Sequence, residues 1–385
     1  MFVTLGGIAL NLGWYLGVTG AIAIGAYVAF LTVFTTCPDQ QRYFFHLYWL
    51  KYFSLSDFAH PEKLGFYNGS VRNGHLTTAD GVKLGFWHIL PQSSTHQEVF
   101  HHHQELRESM SNWDEAFENQ LKAAPRVILY LHGQGGARDG PNRLRTYRSF
   151  YEIDPTAHIF TLDYRGYGDS DGLPLNEDLV TLDCLAAWAY LRKHVSAHQI
   201  VVYGHSLGTG LSVKLCHKLA QQHEYPQALC LENPFECLTK LCLEYSYSPL
   251  LKPVISFKPL CDIIVSKLSH RLSSIQYLPA LSIPILIIHG RADEFINLDH
   301  AYRLFFSLYP CKSTEPFDIN LLDHTAMMSK AHPEPLDGMG YLYKWDRSYS
   351  TWLFEHTYAD HDNCHLFPTT RLVIQRFFTS LTCSG

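Results

Sequence analysis

The sequence predicts an α/β fold: a mostly parallel, doubly wound sheet with a helical cap insert, preceded by a transmembrane helix. Three observations carry that expectation. From residue 126 onward, short apolar runs alternate with helix-length amphipathic patterns, the rhythm of strands covered on both faces by helices. One apolar stretch, residues 234–280, breaks the rhythm between two strands. At the other end, Met1 to Pro38 contains no charged side chain.

Within that first segment the apolar stretch Gly13 to Phe34 is long enough, at about 1.5 Å per residue, to cross a bilayer core. A cleaved signal peptide would show a basic lead and a shorter apolar core, so residues 1–38 read as a retained anchor. Orientation is divided at this level. Arg42, Lys51 and Lys63 follow the anchor and favour a cytosolic catalytic domain. The sequon Asn68-Gly69-Ser70, if glycosylated, requires the lumenal side. Residues 39–70 are rich in aromatic rings (Tyr43, Phe44, Phe45, Tyr48, Trp49, Tyr52, Phe53, Phe58). They suit either a lipid interface or packing on the domain.

The domain itself spans 71–385. Leu76-Thr77-Thr78 and Val82 to Leu90 flank Asp80-Gly81, a hairpin signal. Residues 91–124 are polar, include the run His101-His102-His103, and end in a helix expected over Trp113 to Ala123. No cysteine or carboxylate arrangement makes that run a metal site. Buried strands are expected at Arg126–Leu131, His158–Asp163, Ile200–Tyr203, Ala228–Glu232 and Ile285–His289, with helices at Asn142–Tyr151, Asn176–His194 and Gly208–His223. The insert at 234–280 reads as a cap over the site. Thr351–His356 is expected to be the last strand, and Thr369–Leu381 the closing helix, with Leu372, Ile374, Phe377 and Phe378 on its buried side.

Composition narrows the function. Hydrophobic residues make up 46% and charged residues 17% of the 385, enough for a sizeable core, and the net charge of -6 lacks the basic footprint of a nucleic-acid binder. The ten cysteines contain no C-x-x-C pair and fit neither a zinc site nor a small disulfide framework; most fall in apolar runs as free thiols. No metal or other cofactor is called for.

The chemistry-bearing motif is Gly204-His205-Ser206-Leu207-Gly208, a G-x-S-x-G between a predicted strand and a predicted helix. That context makes it a nucleophile elbow, the signature of the α/β-hydrolase fold, with Ser206 at the sheet's carboxyl edge and the N–H of Leu207 facing a developing oxyanion. A second oxyanion donor is expected from the glycine-rich loop His132-Gly133-Gln134-Gly135-Gly136, at the N–H of Gln134. An alcohol needs a base, and the base an orienting acid, in the chain order Ser, Asp or Glu, His. Asp293 follows the strand Ile285–His289 and is the expected acid, ahead of Glu294 and Asp299. The base belongs on a loop before the closing helix, which favours His361; His324 is the alternative.

Several strings extend beyond the bare motif: Tyr130-Leu131-His132-Gly133 with Arg138; Asp163-Tyr164-Arg165-Gly166-Tyr167-Gly168-Asp169-Ser170; Tyr203 through Gly210; Leu231-Glu232-Asn233-Pro234-Phe235; and Gly85 through Pro91. Together they resemble the family of α/β-hydrolase domain-containing protein 12, from about residue 60 to 300 and again at His361 and the closing helix. The resemblance implies a membrane-anchored lipase of the endoplasmic reticulum acting on lysophosphatidylserine and monoacylglycerols, with a lumenal site, which agrees with Asn68. It also implies a base placed 16 residues before a phenylalanine of the last helix, as His361 stands to Phe377. The chain departs from the family in a shorter lead before the anchor and a longer stretch between Asp293 and His361. Two rival functions are an acyl-protein thioesterase on the cytosolic face and an inactive hydrolase fold used for binding; the intact elbow disfavours the second. Arg138 is expected either to meet an anionic head group or to pair with a carboxylate such as Asp139.

Overall fold

The computed structural model describes residues 2–53, 57–92, 110–244, 258–309, 331, 333–346 and 349–382. Helix α1 (Phe2–Thr36) opens the chain, and its Val18–Thr36 part has mean hydropathy 1.9 with only 6% buried, long and apolar enough to cross a membrane. Its apolar side chains Ile22, Ile24 and Val28 face outward, so packing on the domain does not account for their hydrophobicity. The last turn differs: Phe34 is buried against Phe44 and Phe45 of the short helix α2 (Arg42–Phe45).

Ten strands form one sheet among the described residues. They are β1 (Val71–Thr77), β2 (Lys83–Ile89), β3 (Val127–Leu131), β4 (His158–Leu162), β5 (Ile200–His205), β6 (Ala228–Glu232), β7 (Ile285–Gly290), β8 (Glu334–Pro335), β9 (Gly340–Asp346) and β10 (Ser350–His356). The order is β1-β2-β4-β3-β5-β6-β7-β10-β9-β8. The pairs from β4 through β10 run parallel, while β1, β2, β8 and β9 attach antiparallel at the two edges.

The central strands are largely apolar because both faces are covered; every residue of β3, β4, β6 and β7 is buried. The covering elements among the described residues are α3 (Met110–Lys122), α4 (Pro141–Ile153), α5 (Glu177–Arg192), α6 (Leu207–Ala220), α7 (Leu238–Glu244), α8 (Lys258–Ser266), α9 (Ser274–Tyr277), α10 (Leu298–Ser307) and α11 (Pro368–Thr382). Asn176 caps α5 by accepting from the Leu179 N–H at 2.9 Å, and Asn297 caps α10 by accepting from Asp299.

The chain leaves β3 toward β4 on one side and returns to β5 on the other. The loops after β3 and β5 therefore diverge, opening a crevice at the carboxyl ends of the strands.

One expectation needs correction. Leu372 is half exposed, because the buried stripe of α11 is Val373, Ile374, Phe377 and Phe378, and Leu372 falls off that face at helical spacing. Strand β9, which no sequence pattern marks, lies between β10 and the edge strand β8 and pairs antiparallel with both. The run His101–His103 and much of the expected cap, 245–257, lie outside the described residues.

Candidate active site

The turn from β5 into α6 places Ser206 at the crevice. Ser206 has φ 51°, a left-handed conformation that costs a non-glycine residue about 1–3 kcal/mol. Neighbouring contacts hold it there. Its N–H donates to the Glu232 carbonyl at 3.0 Å, and its own carbonyl accepts from the N–H and Oγ1 of Thr209 at 2.8 and 2.6 Å. The flanking glycines are dictated by close approach. A Cβ on Gly208 would strike the Leu131 carbonyl, and one on Gly204 would strike Ser212 and the Gly208 backbone.

Ser206 Oγ lies 2.9 Å from Nε2 of His361, and Nδ1 of the same ring lies 2.8 Å from Oδ2 of Asp293. A carboxylate can only accept, so Nδ1 donates and Nε2 is the lone-pair nitrogen facing the hydroxyl. The other oxygen of Asp293 accepts from the N–H groups of Phe295 and Ile296, both at 2.8 Å, which locks the carboxylate. The Asp293 side chain is fully buried while the His361 ring keeps 14% of its surface open. Burial works against charge on both and is the largest single influence, but their hydrogen bond and the neighbouring charges together outweigh it. His361 is held above the ordinary histidine value, helped by the fields of Asp293, Asp362 and Glu232, and Asp293 is held below the ordinary carboxylate value.

These three residues come from the ends of β5, β7 and β10, and the structure brings them together in one hydrogen-bonded chain. Glu294 is exposed, and Asp299 lies at the start of α10, away from the serine. His324 lies outside the described residues. Gln134, on the loop after β3, lines the cavity with Ser206, and Leu207 follows the serine at the first position of α6, where a helical N–H has no intrahelical partner.

Several site residues escaped sequence reasoning. His205 and Asn233 both donate to the main-chain carbonyl of His361, at 2.8 and 2.7 Å, and fix the loop that carries the base. Each stands inside a motif string, His205 within the elbow and Asn233 after Glu232, which was the available signal. Beside the site, buried Glu232 accepts from Nδ1 of His365 at 2.9 Å and from the Tyr203 hydroxyl at 2.8 Å. Burial opposes its charge, but the His365 and His205 rings and the Tyr203 hydroxyl hold it down at about 2.

Of its two expected roles, Arg138 takes the pairing with carboxylates. It is wholly buried and donates to Asp163 and Asp169, with Asn73 at 2.7 Å and the Phe58 ring 4.0 Å from its guanidinium carbon. It does not reach the cavity, and its carboxylate partners are Asp163 and Asp169 rather than Asp139.

A cavity of about 440 Å³ opens over Ser206 and His361. Its lining includes the apolar side chains Phe44, Phe45, Leu47, Leu238, Leu241 and Phe295 and the polar side chains Asn142, Arg143, Thr146 and His365. Such a space accepts an amphiphile, with Ser206 and His361 among the residues that line it.

Comparison with known proteins agrees with this geometry. The model of the "alpha/beta hydrolase fold" family matches residues 126–228, from β3 to the start of β6. The lysophosphatidylserine lipase ABHD12 of Danio rerio is 26% identical over 309 residues, covering 80% of this chain and 77% of its own. The Mus musculus protein of the same name is 25% identical over 83% of this chain and 75% of its own, and human protein ABHD12B is 27% identical over 60% of each. Among solved structures, the Pyrococcus furiosus esterase Pf2001 superposes with TM-score 0.51 at 16% identity, over 83% of this chain and 93% of its own. An alpha-beta hydrolase from Vibrio vulnificus superposes with TM-score 0.51 at 14% identity, over 92% of each. This chain therefore has the α/β-hydrolase fold and is similar in sequence, across four-fifths of its length, to the lysophosphatidylserine lipases named ABHD12.

Proposed function

We propose that the chain is a membrane-anchored serine hydrolase that cleaves the acyl ester of lysophospholipids such as lysophosphatidylserine, and of monoacylglycerols. The observation that carries the reading is the hydrogen-bonded chain Ser206–His361–Asp293 opening into a cavity lined by both apolar and polar side chains. In this reading Nε2 of His361 takes the Ser206 proton as Oγ attacks the ester carbonyl. Asp293 steadies the imidazolium that forms, and the N–H groups of Gln134 and Leu207 receive the oxyanion. His361 then protonates the leaving alcohol, and water releases the fatty acid by the same route. The apolar side chains of the lining would take the acyl chain, each buried CH₂ contributing about 0.8 kcal/mol.

The anchor is α1, and the residues from 71 onward are the catalytic domain, with the 234–280 insert as its cap. Location in the endoplasmic reticulum membrane with a lumenal domain is supported by the named relatives' resemblance and by Asn68, which is exposed in the turn before β1. Glycosidase treatment of the membrane-expressed chain, with Asn68→Gln as control, reads orientation; no mobility shift would remove the lumenal assignment.

The activity test is fluorophosphonate labelling alongside turnover of lysophosphatidylserine and monoacylglycerol. Ser206→Ala should lose both labelling and turnover. Labelling that survives this change would contradict the nucleophile assignment.

A further inference from the structure

The segment between the anchor and the domain packs directly on the loop after β3, and its contacts go beyond a tether's. The side chain of Gln134 is surface-exposed, yet its Nε2 donates to two carbonyls in that segment, Phe44 at 2.8 Å and Phe45 at 2.9 Å. One residue on, the N–H of Gly135 donates to the His46 carbonyl at 3.0 Å. That carbonyl also accepts from the buried Tyr167 hydroxyl at 2.6 Å. The loop's own carbonyls turn the opposite way. Nη2 of Arg143 donates to those of Gly133 at 3.0 Å and Gln134 at 3.3 Å, and also to that of Gly135. The loop is thus held from two sides, and the Gln134 N–H is left without a partner among the described residues.

The segment is itself fixed. Gln41 is completely buried and uses its whole amide: Nε2 donates to the carbonyls of Phe34 and Lys267, both at 2.9 Å, and Oε1 accepts from the N–H and Oγ of Ser269 at 2.8 and 2.9 Å. It joins the end of α1 to the stretch after α8. Between these two fastenings, Phe44, Phe45 and Leu47 line the cavity.

We propose that residues 41–47 are a working part of the active site, with the Gln134 side chain as a positioning residue that ties the oxyanion loop to the membrane anchor. This rests on the serine-hydrolase reading above. Its physical basis is that oxyanion stabilisation depends on donors fixed before the reaction, and a displacement of about 1 Å can cost about a hundredfold in rate. Gln134 is the group through which the loop feels where the anchor stands.

The test uses the full-length chain in membranes with a soluble ester, p-nitrophenyl butyrate, so that lipid delivery does not enter. Gln134→Met keeps the backbone N–H and the side-chain length but has nothing to donate to Phe44 and Phe45. It should lose about tenfold in kcat with KM changed less than about twofold. Affinity for a trifluoromethyl ketone, which adds to the serine as a tetrahedral oxyanion, should weaken in proportion. Gln134→Lys, which restores an N–H donor, should recover most of the loss, and Tyr167→Phe, which leaves the His46 carbonyl with the Gly135 N–H alone, should fall between. A Gln134→Met chain with wild-type kcat and ketone affinity overturns the proposal while leaving the hydrolase reading intact. So does a loss of thermal stability with ketone affinity unchanged. A wild-type chain that neither labels with fluorophosphonate nor turns over the ester overturns the hydrolase reading and this proposal with it.

Discussion

Asn233 donates its side-chain amide to the main-chain carbonyl of His361 at 2.7 Å, so the end of β6 holds the loop that follows β10. The same side chain accepts from the Gly290 N–H at 2.9 Å, at the end of β7, just ahead of Asp293. One buried amide therefore ties together the loops that carry the acid and the base. It does so from φ 49°, a conformation asparagine tolerates better than most residues.

Asn233→Ala should consequently lower activity and stability together. The Gly290 N–H loses its partner, at about 1–3 kcal/mol for an unsatisfied buried group, and the His361 carbonyl keeps only His205, so the base is freer to drift from Ser206. About a tenfold drop in kcat is expected, with KM little changed. Steady-state kinetics per titratable serine, together with urea unfolding, check both. Unchanged kcat would mean that His205 alone suffices to fix the loop.

The acid–base pair predicts a specific pH dependence. His361 must be neutral to accept the serine proton, and Asp293 raises its value above the ordinary 6.5. The rate should fall on the acid side with a midpoint above 6.5, and Asp293→Asn should reduce kcat on the order of 10⁴-fold, as loss of the orienting acid does in other Ser-His-Asp enzymes. Stability runs differently. The raised His361 value stabilises the fold fully below about pH 6.5 and is lost as pH climbs through the folded value. The depressed Asp293 value stabilises above about pH 3.9 and is lost as pH falls through its folded value. The pair therefore stabilises most between about pH 4 and 6.5, on the acid side of the activity range. Urea midpoints that rise between pH 6 and 8 in wild type but not in Asp293→Asn would contradict this sign.

Glu232 is a buried carboxylate that stays charged because His365 and Tyr203 surround it. Removing it leaves Nδ1 of His365 and the Tyr203 hydroxyl buried without an acceptor, while Nε2 of His365 keeps Thr146 at 3.3 Å. Glu232→Ala should cost about 3–5 kcal/mol of unfolding free energy, and Glu232→Gln, which keeps an acceptor, distinctly less. Equilibrium urea unfolding compares the two; equal losses would show that charge rather than hydrogen bonding holds the network.

Much of this site is legible in the sequence because local geometry dictates residue type. The elbow tolerates only glycine at 204 and 208, where a Cβ would strike backbone, so Ser206 announces itself. Asp293 and His361 follow from their places after buried strands. The contacts that hold the oxyanion loop are not legible: Gln134 meets Phe44 across 90 residues of chain, and no local pattern marks a side-chain amide that seeks two distant carbonyls. The aromatic stretch 39–70 left the same gap, since one composition suits lipid and core alike. Its residues in fact divide, with Phe45 and Tyr48 buried and Tyr52 and Tyr67 exposed. Arg138 was ambiguous for a related reason. A lone arginine near a motif looks the same whether it meets substrate or carboxylates, and its partners Asp163 and Asp169 lie 25 and 31 residues away.

Arg138 gives the sharpest separation between a structural and a recognition role. Its guanidinium is sealed beneath Phe58 and Trp87 and shared by two carboxylates, one of them, Asp163, wholly buried. Substituting methionine fills the space but strands the Asp163 charge, which should cost about 3–5 kcal/mol and lower the urea midpoint accordingly. Head-group choice should not move, because the side chain does not line the cavity. The measurement is the ratio of lysophosphatidylserine to monoacylglycerol turnover in Arg138→Met, taken at a temperature where the variant remains folded. A ratio equal to wild type with a reduced midpoint fits the buried ion pair. A selective loss of lysophosphatidylserine turnover would mean that Arg138 senses the head group, which its burial forbids in this arrangement.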